Sequence, residues 1–160
     1  LSETVFLNGS LAYLDATYGE YKNSGCTVAQ LSASAEGCSQ DLSGRELTNA
    51  PEFSANISLD HMMPVGENLE LRSHVNLVYT GEQYTATDLD AHSLEQSHTT
   101  FNGRLAVGDN SGNWELALVG KNLTNEVIRS WSNDLFYLSG AQFSYIEAPR
   151  TLALQFNVNY

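Results

Sequence analysis

Five side chains of the types that bind divalent cations fall within one polar segment of the sequence. They are Asp88, Asp90, His92, Glu95 and His98. Carboxylate oxygens and imidazole nitrogens are common metal ligands, but compact metal sites place them at characteristic short intervals. The spacing here matches none of those motifs. A solvated loop is therefore the favoured interpretation, and the sequence predicts neither a metal site nor a cofactor.

Catalytic motifs are absent from the sequence. It contains no Gly-x-Ser-x-Gly nucleophile turn and no His-Glu-x-x-His zinc motif. No cysteine has a histidine partner in an arrangement that would suggest a nucleophile. The sequence therefore predicts no catalytic residue and no enzyme activity.

The two cysteines, Cys26 and Cys38, lie in a polar stretch rich in Ser, Gly and Ala. Two cysteines without an intervening histidine make a poor metal site. A disulfide is the favoured interpretation, and its loop closure would be worth about 3 kcal/mol in the chain-entropy model. Such a bond implies an oxidising compartment.

Aromatic side chains crowd the last long polar segment of the chain. They are Trp131, Phe136, Tyr137, Phe143 and Tyr145. Two interpretations stay open, with the first favoured: the rings pack one loop against another, or they stack on a ligand ring such as a sugar or an aromatic chelator. These five residues are the candidate ligand-binding residues.

The element that must position these groups is clearest at the C-terminus, where apolar and polar residues alternate. One face of the predicted strand carries Leu152, Leu154, Phe156, Val158 and Tyr160, and the other is small or amide-polar. A soluble sheet would place the apolar face on a core, whereas a membrane barrel would place it against lipid. The strand has the length of a membrane-spanning strand, about 9–11 residues, and it ends in an aromatic residue. Both features favour the membrane interpretation.

Similar alternation elsewhere predicts an all-β, antiparallel up-and-down meander of about six strands. Long connections and short turns alternate between these strands, which places every long connection at one end of the sheet, as in outer-membrane barrels. The predicted strands are 8–21, 53–60, 69–79, 101–107, 114–119 and 150–160, the long connections are 22–49, 80–98 and 122–149, and the short turns are 63–68 and 108–113.

Charged residues of the predicted strands fall on their polar faces, where they are expected to form a network. They are Glu70, Arg72, His74, Arg104 and Glu115. In a barrel this network would line the lumen and contact whatever fills it.

The composition limits the possible partners. The chain of 160 residues has 19 acidic and 7 basic residues and a net charge of −12. This balance argues against nucleic acid as a partner, because phosphate contacts need Lys and Arg. Only 16% of residues are charged, below the roughly 25% that is usual for soluble domains.

Four segments together resemble one family. Segment 114–125, WELALVGKNLTN, resembles the penultimate strand of TonB-dependent outer-membrane receptors, and segment 148–160, APRTLALQFNVNY, resembles their closing strand. Segments 47–52 and 8–18 are similar to earlier strands in the same order. One departure is the final residue, which is usually Phe in the family and is Tyr160 here.

The resemblance implies active import of a scarce nutrient across the bacterial outer membrane. The family encloses a plug within a barrel of roughly 22 strands, and it imports iron-siderophores, cobalamin, haem or oligosaccharides. Residues 1–160 are then expected to be the C-terminal segment of the barrel, with the plug and the earlier strands outside this sequence.

The partners implied by the resemblance are outer-membrane lipid, the receptor's own plug and remaining strands, and the TonB complex, reached through the N-terminal part. The barrel-assembly machinery would recognise the apolar face of the last strand, 152–160, as a C-terminal assembly signal. Lys121-Asn-Leu-Thr124 is expected to end a strand and fix the turn into a loop rather than to contact ligand.

An alternative interpretation is a soluble secreted β-sandwich or small barrel that binds a carbohydrate or another ligand. It differs in where the apolar faces point. In a sandwich the faces of segments 53–59, 69–79 and 152–160 would meet in a core, whereas in a receptor they would face lipid.

Overall fold

The computed structural model describes residues 4–34, 37–136, 138 and 140–159. Within these residues it contains ten strands, one α-helix and one 3-10 helix. The elements are β1 (Val5–Tyr13), α1 (Val28–Ala33), β2 (Phe53–Val65), β3 (Leu69–Thr80), β4 (Gln83–Tyr84), a 3-10 helix (Ala91–Ser93), β5 (Leu94–Glu95), β6 (His98–Asp109), β7 (Trp114–Lys121), β8 (Arg129–Asp134), β9 (Gln142–Ile146) and β10 (Thr151–Val158).

Six of these strands form one antiparallel sheet in the order β1-β2-β3-β6-β7-β10. Neighbours in the sheet follow each other along the chain, so the predicted six-stranded meander is confirmed. Two further pairs, β4–β5 and β8–β9, form separate two-stranded ribbons inside the second and third long connections. No helix in the described part of the chain is long and apolar enough to cross a membrane.

The short turns join β2 to β3 and β6 to β7, and each contains a glycine with positive φ, Gly66 and Gly112. β2 runs further than predicted and includes Pro64. Proline has no N–H and is tolerated where no partner strand needs that donor. β1 begins at Val5, opposite His61, so Pro64 lies beyond the part of β2 that β1 covers.

The first strand differs from its predicted bounds of 8–21. β1 ends at Tyr13, so residues 14–21 belong to the first long connection. The first long connection, expected to be irregular, contains α1. Thr27 and Gln30 form a reciprocal capping box at its start. The helix is too short to show a hydrophobic period. The spacing of Thr27 and Gln30 is the feature of the sequence from which the start of this helix could have been predicted.

The apolar core lies mainly in the long connections and not on the sheet. Buried apolar residues of the connections are Val28, Leu42, Ala86, Leu89 and Ile128. In the sheet, only the small residues Ala106 and Ala117 are buried among the described apolar side chains. Leu154 is 73% exposed and Leu118 is 51% exposed. The core that the alternative β-sandwich interpretation requires is not formed within the described residues, because β2, β3 and β10 belong to one sheet.

Candidate functional site

The sheet has an apolar face and a polar face, because residues paired directly across an antiparallel ladder point to the same side. On the apolar face, Leu7 pairs with Leu59 and Leu118 pairs with Leu154. The predicted alternation on β10 is present, since Leu152, Leu154, Phe156 and Val158 are exposed on this face. Tyr160, the last residue of the expected assembly signal, lies outside the described residues.

The edge of the apolar band nearest the long connections crosses the sheet obliquely. It lies at the pair Tyr13–Phe53 on β1 and β2, but at Leu152 on β10. Across the ladder, Leu152 is level with Leu7, through the same-face residues Gly120, Gly103, Val75 and Leu59. Leu7 lies six residues before Tyr13 on β1. This edge therefore shifts along the strands by roughly 20 Å while it crosses five strand spacings, roughly 24 Å.

This slope corresponds to strands inclined by about 40° to the normal of that edge, within the roughly 35–45° by which the strands of transmembrane barrels are tilted. The opposite edge does not follow the same slope. On β2 His61 interrupts the apolar face, but Met63 and Val65 continue it, and Val65 is level with Leu69 on β3 and Asp109 on β6. The oblique edge is therefore the one nearest the long connections.

Aromatic side chains lie along the edge of the band near the long connections. The rings of Tyr13 and Phe53 pack with their centroids 5.0 Å apart, and Tyr79 and Phe101 continue the edge on β3 and β6. Trp114 lies at the opposite edge, at the start of β7. Aromatic belts of this kind flank the apolar zone of membrane barrels.

The polar face carries the ion network that the sequence predicted. Glu115 on β7 accepts hydrogen bonds from Arg104 on β6 and from Arg72 on β3, the second at 3.3 Å. Arg72 also donates to Glu70 at 2.6 Å. These long side chains converge because Ala106 and Ala117, which pair at the centre of the group, leave room above the sheet.

His74 lies beside this network and contacts Asp60, with Nδ1 2.7 Å from the carboxylate oxygen. Amide side chains continue the polar face towards the long connections. Asn76 donates to Asn56 at 2.9 Å, and Asn102 lies within hydrogen-bonding distance of Asn76. On β2, β3 and β6 the face therefore changes from charged side chains near the short turns to amide side chains nearer the long connections, whereas β7 ends on the charged Lys121.

The three long connections, 14–52, 81–97 and 122–150, are tied together into one structure, here called the cap. Gln40 of the first connection donates to the Asp88 carbonyl of the second at 2.8 Å. Asp134 of the third accepts from the backbone N–H of Val28 at 2.7 Å. Thr85 of the second contacts Ser132 of the third at 2.9 Å. Each connection therefore contacts both of the others.

The disulfide lies within the first connection. Cys26 and Cys38 are bonded, and their Cα atoms are 5.9 Å apart. The bond encloses α1, whose first N–H groups include the one that binds Asp134. Gln40, close after Cys38, also donates to the Gly25 carbonyl at 2.6 Å. The disulfide thus holds together the two contact points through which the first connection binds the others.

The candidate ligand-binding aromatics are only partly brought together. Trp131, Phe143 and Tyr145 form one cluster on the β8–β9 ribbon, with Trp131 centred 5.4 Å from Phe143 and 5.6 Å from Tyr145. Phe136 lies in the turn of the same ribbon and is exposed, and Tyr137 lies outside the described residues. The opposite side of the ribbon carries Ser132, which is buried against the second connection.

The candidate metal ligands serve structural roles instead. Asp90 caps the 3-10 helix by accepting from the His92 N–H at 2.7 Å, and Glu95 accepts from Arg129 at 2.6 Å. Burial, together with the nearby carboxylates of Asp134 and Asp90, raises the pKa of Asp88 above its ordinary value. In the described part of the chain, no three His, Cys, Asp or Glu side chains are arranged to hold a metal ion.

Asn122, of the Lys-Asn-Leu-Thr motif, fixes the chain where β7 ends. It adopts a φ of 48° and is buried. Its amide donates to the Glu126 carbonyl at 2.8 Å, its side-chain oxygen accepts from the Glu126 N–H at 3.0 Å, and its own N–H donates to Asn102. Leu123 then folds back over Gly120, where a Cβ atom would lie 2.7 Å from the leucine. The expected role of this motif as a strand end and turn is confirmed.

A pocket of about 330 Å³ lies where the polar face meets the cap. Thr80, His98 and Thr100 contribute from the sheet, while the three connections contribute Asn49, Gln83, Arg129, Ser130 and Glu147, with Val78 and Ile128 completing the wall. Sequence reasoning missed this pocket, because its residues come from segments far apart in the chain and share no local pattern.

No protein-family model matches the chain, and no curated protein matches it. Among solved structures, the crystal structure of the ferric yersiniabactin uptake receptor FyuA from Yersinia pestis is similar to it. The TM-score is 0.61, with 12% sequence identity over 76% of this chain. The chain spans 17% of that receptor's chain. At this identity the likeness establishes a shared fold, and the chain therefore shares the antiparallel β fold of the matched part of that structure.

Proposed function

We propose that this chain is the C-terminal barrel segment of a TonB-dependent receptor that imports a scarce nutrient across the bacterial outer membrane. The substrate would belong to one of four classes: an iron-siderophore, cobalamin, haem or an oligosaccharide. The observation that carries the proposal is the exposed apolar band on the sheet, with its oblique edge near the long connections. Strands inclined by about 40° to the normal of that edge match strands that cross a bilayer.

Among the described residues no second layer covers this band, which supports the same proposal. Leu118 and Leu154 are more than half exposed on a face that carries a continuous row of large apolar side chains. Soluble monomers rarely leave such a face uncovered. Lipid would cover it in a barrel. Strand neighbours outside this sequence would pair with the open edges of β1 and β10, since unpaired edges do not occur in a bilayer.

The polar face supplies the other half of the proposal. In a barrel it lines the lumen, and the network around Glu115 lies near the short turns, on the periplasmic side. There it would contact the plug, while the cap would lie outside the cell. The fold shared with FyuA and the sequence resemblance of segments 114–125 and 148–160 add support.

A pair of neighbouring substitutions on β10 tests the proposal in the complete receptor. Leu154→Arg places a charge on the apolar face, whereas Gln155→Arg places the same charge on the polar face. A charge on the lipid face of such barrels costs about 2–4 kcal/mol at the bilayer midplane and less towards the interfaces, and Leu154 lies one same-face position inside the edge of the band at Leu152. We expect Leu154→Arg to lower the amount of folded receptor in outer-membrane fractions and Gln155→Arg to leave it close to wild type.

A soluble ligand-binding module that left this face in water would tolerate the two variants equally, because arginine at an exposed Leu154 would be neutral or would improve solubility. A sandwich that buried the face in a core would reject Leu154→Arg, as a membrane barrel does. Recovery of the wild-type protein in the soluble fraction would therefore exclude the membrane proposal, whichever way the two variants behave.

A further inference from the structure

We infer that the pocket between the cap and the polar face binds an uncharged, hydroxyl-rich group of the ligand, such as a sugar ring, and disfavours anionic ligands. This inference rests on the proposed function and specifies its substrate class. In the proposed orientation the pocket lies at the outer mouth of the lumen, where an incoming ligand must pass. All three long connections and the sheet contribute to its wall.

Among the described residues the pocket wall contains one arginine, Arg129, and its guanidinium is already engaged. Arg129 donates from Nε to the buried Glu95 carboxylate at 2.6 Å, and from its other two nitrogens to the carbonyls of His92 and Leu94 at 2.8 and 2.7 Å. A guanidinium held in this way has its charge neutralised and much of its donor capacity used. It is therefore a poor partner for a ligand carboxylate, catecholate or phosphate.

The remaining charge in the wall is negative. Glu147 is exposed, and among the described residues its carboxylate has no ion-pair partner. Its backbone N–H is bound to the Ile128 carbonyl at 2.9 Å, which fixes the position of the residue. A carboxylate of this kind accepts hydrogen bonds from ligand hydroxyl groups and repels ligand anions.

The other polar groups suit hydroxyl groups as well. Thr80, Thr100 and Ser130 offer hydroxyls, and Asn49 and Gln83 offer amides, all of which can donate and accept. His98 approaches the Gln96 carbonyl through Nδ1 at 3.2 Å, so in its neutral form Nε2 remains an acceptor. None of these groups provides a positive charge. The mixture of uncharged donors and acceptors with one carboxylate matches a polyhydroxylated ligand.

The test uses the complete receptor in detergent or in outer-membrane vesicles. Binding is measured by calorimetry for neutral oligosaccharides (maltoheptaose, laminarihexaose and xylohexaose) and for a trianionic ferric tricatecholate chelate. We expect at least one oligosaccharide to bind, and Glu147→Ala to weaken that binding about tenfold or more. The matched control is Glu67→Ala, which removes the same charge at the short-turn end and should leave affinity unchanged.

Three outcomes would overturn the inference: none of the oligosaccharides binds, only the ferric chelate binds, or the Glu147 and Glu67 variants behave alike. These failures are distinguishable from failure of the proposed function. A receptor whose Leu154→Arg and Gln155→Arg variants differ as expected, yet which binds no oligosaccharide, keeps its function and loses this ligand class.

Discussion

The hydroxyl oxygens of Thr85 and Ser132 lie 2.9 Å apart, and both side chains are almost completely buried. They belong to the second and third connections, 47 residues apart in the chain. Ser132 is in turn 2.8 Å from the Ser144 hydroxyl on β9. This small buried group of hydroxyls fixes one side of the aromatic ribbon to the rest of the cap.

Thr85→Val should loosen the cap without unfolding the sheet. Valine keeps the shape of threonine but removes the buried hydroxyl, which leaves Ser132 and the Ser93 carbonyl with one partner fewer, at a cost of about 1–3 kcal/mol. Hydrogen exchange should become faster for amides in 85–93 and 129–146 and stay unchanged in β2 and β3. Thr87→Val, at an exposed position, is the control, and equal exchange in both variants would contradict the proposed coupling.

Asn122 should be the least replaceable residue of its motif. Asn122→Ala removes its side-chain hydrogen bonds and places a Cβ-bearing residue without local compensation at positive φ, for a combined cost of about 2–4 kcal/mol. Asn122→Gly relieves the backbone strain but not the lost bonds, so it should be milder by about 1 kcal/mol. Denaturant titration of the folded receptor measures both, with Asn133→Ala as an exposed control. A glycine variant as unstable as the alanine variant would show that φ is unimportant there.

The pair of Arg104 and Glu115 should be coupled energetically. The Glu115 side chain is only 16% exposed and receives both Arg104 and Arg72. Glu115→Gln should therefore destabilise the barrel by about 1–3 kcal/mol. Combining it with Arg104→Gln should cost less than the sum of the single changes, because the two residues interact directly. Unfolding of the two single variants and the double variant measures the coupling, and strict additivity would argue against the ion pair.

Asp88 should make cap stability depend on pH. Because burial raises its pKa in the folded chain, the folded state holds the proton more tightly than the unfolded state. At pH values below the ordinary aspartate pKa of about 3.9, Asp88 is protonated in both states and does not oppose folding. As pH rises through the raised pKa of the folded chain, ionisation of the buried carboxyl lowers the free energy of unfolding. Asp88→Asn keeps an oxygen that can accept from the Asp90 N–H, 3.3 Å away in the wild type, and removes the charge.

We expect the Asp88→Asn variant to protect the cap amides better than wild type at pH 7, with the advantage shrinking near pH 4. Hydrogen exchange corrected for its intrinsic pH dependence is the measurement. Asp41→Asn, at an exposed position outside this cluster, is the comparison. An advantage that is the same at both pH values would show that Asp88 ionisation is not its source.

Local pattern predicted some elements of this chain and not others. The alternation in 53–60, 69–79 and 152–158 and the glycine turns predicted β2, β3, β10 and their neighbours, because a side-chain period of two is a property of a single strand. The same reasoning predicted the first strand at 8–21, whereas β1 spans Val5–Tyr13. It also missed α1, β4–β5 and β8–β9. These elements are too short to show a period, and contacts between connections stabilise them.

The sequence by itself determined the six-stranded meander, the two chemically different faces, and the end of the sheet at which the long connections lie. These follow from local alternation and from connection length. Only the tertiary structure decided the strand register, and with it the oblique edge of the apolar band, the partners of Glu115 and the Thr85–Ser132 contact. The same holds for the pocket beside Glu147. Register and loop packing depend on segments tens of residues apart, and their positions become defined only when the whole sheet has formed.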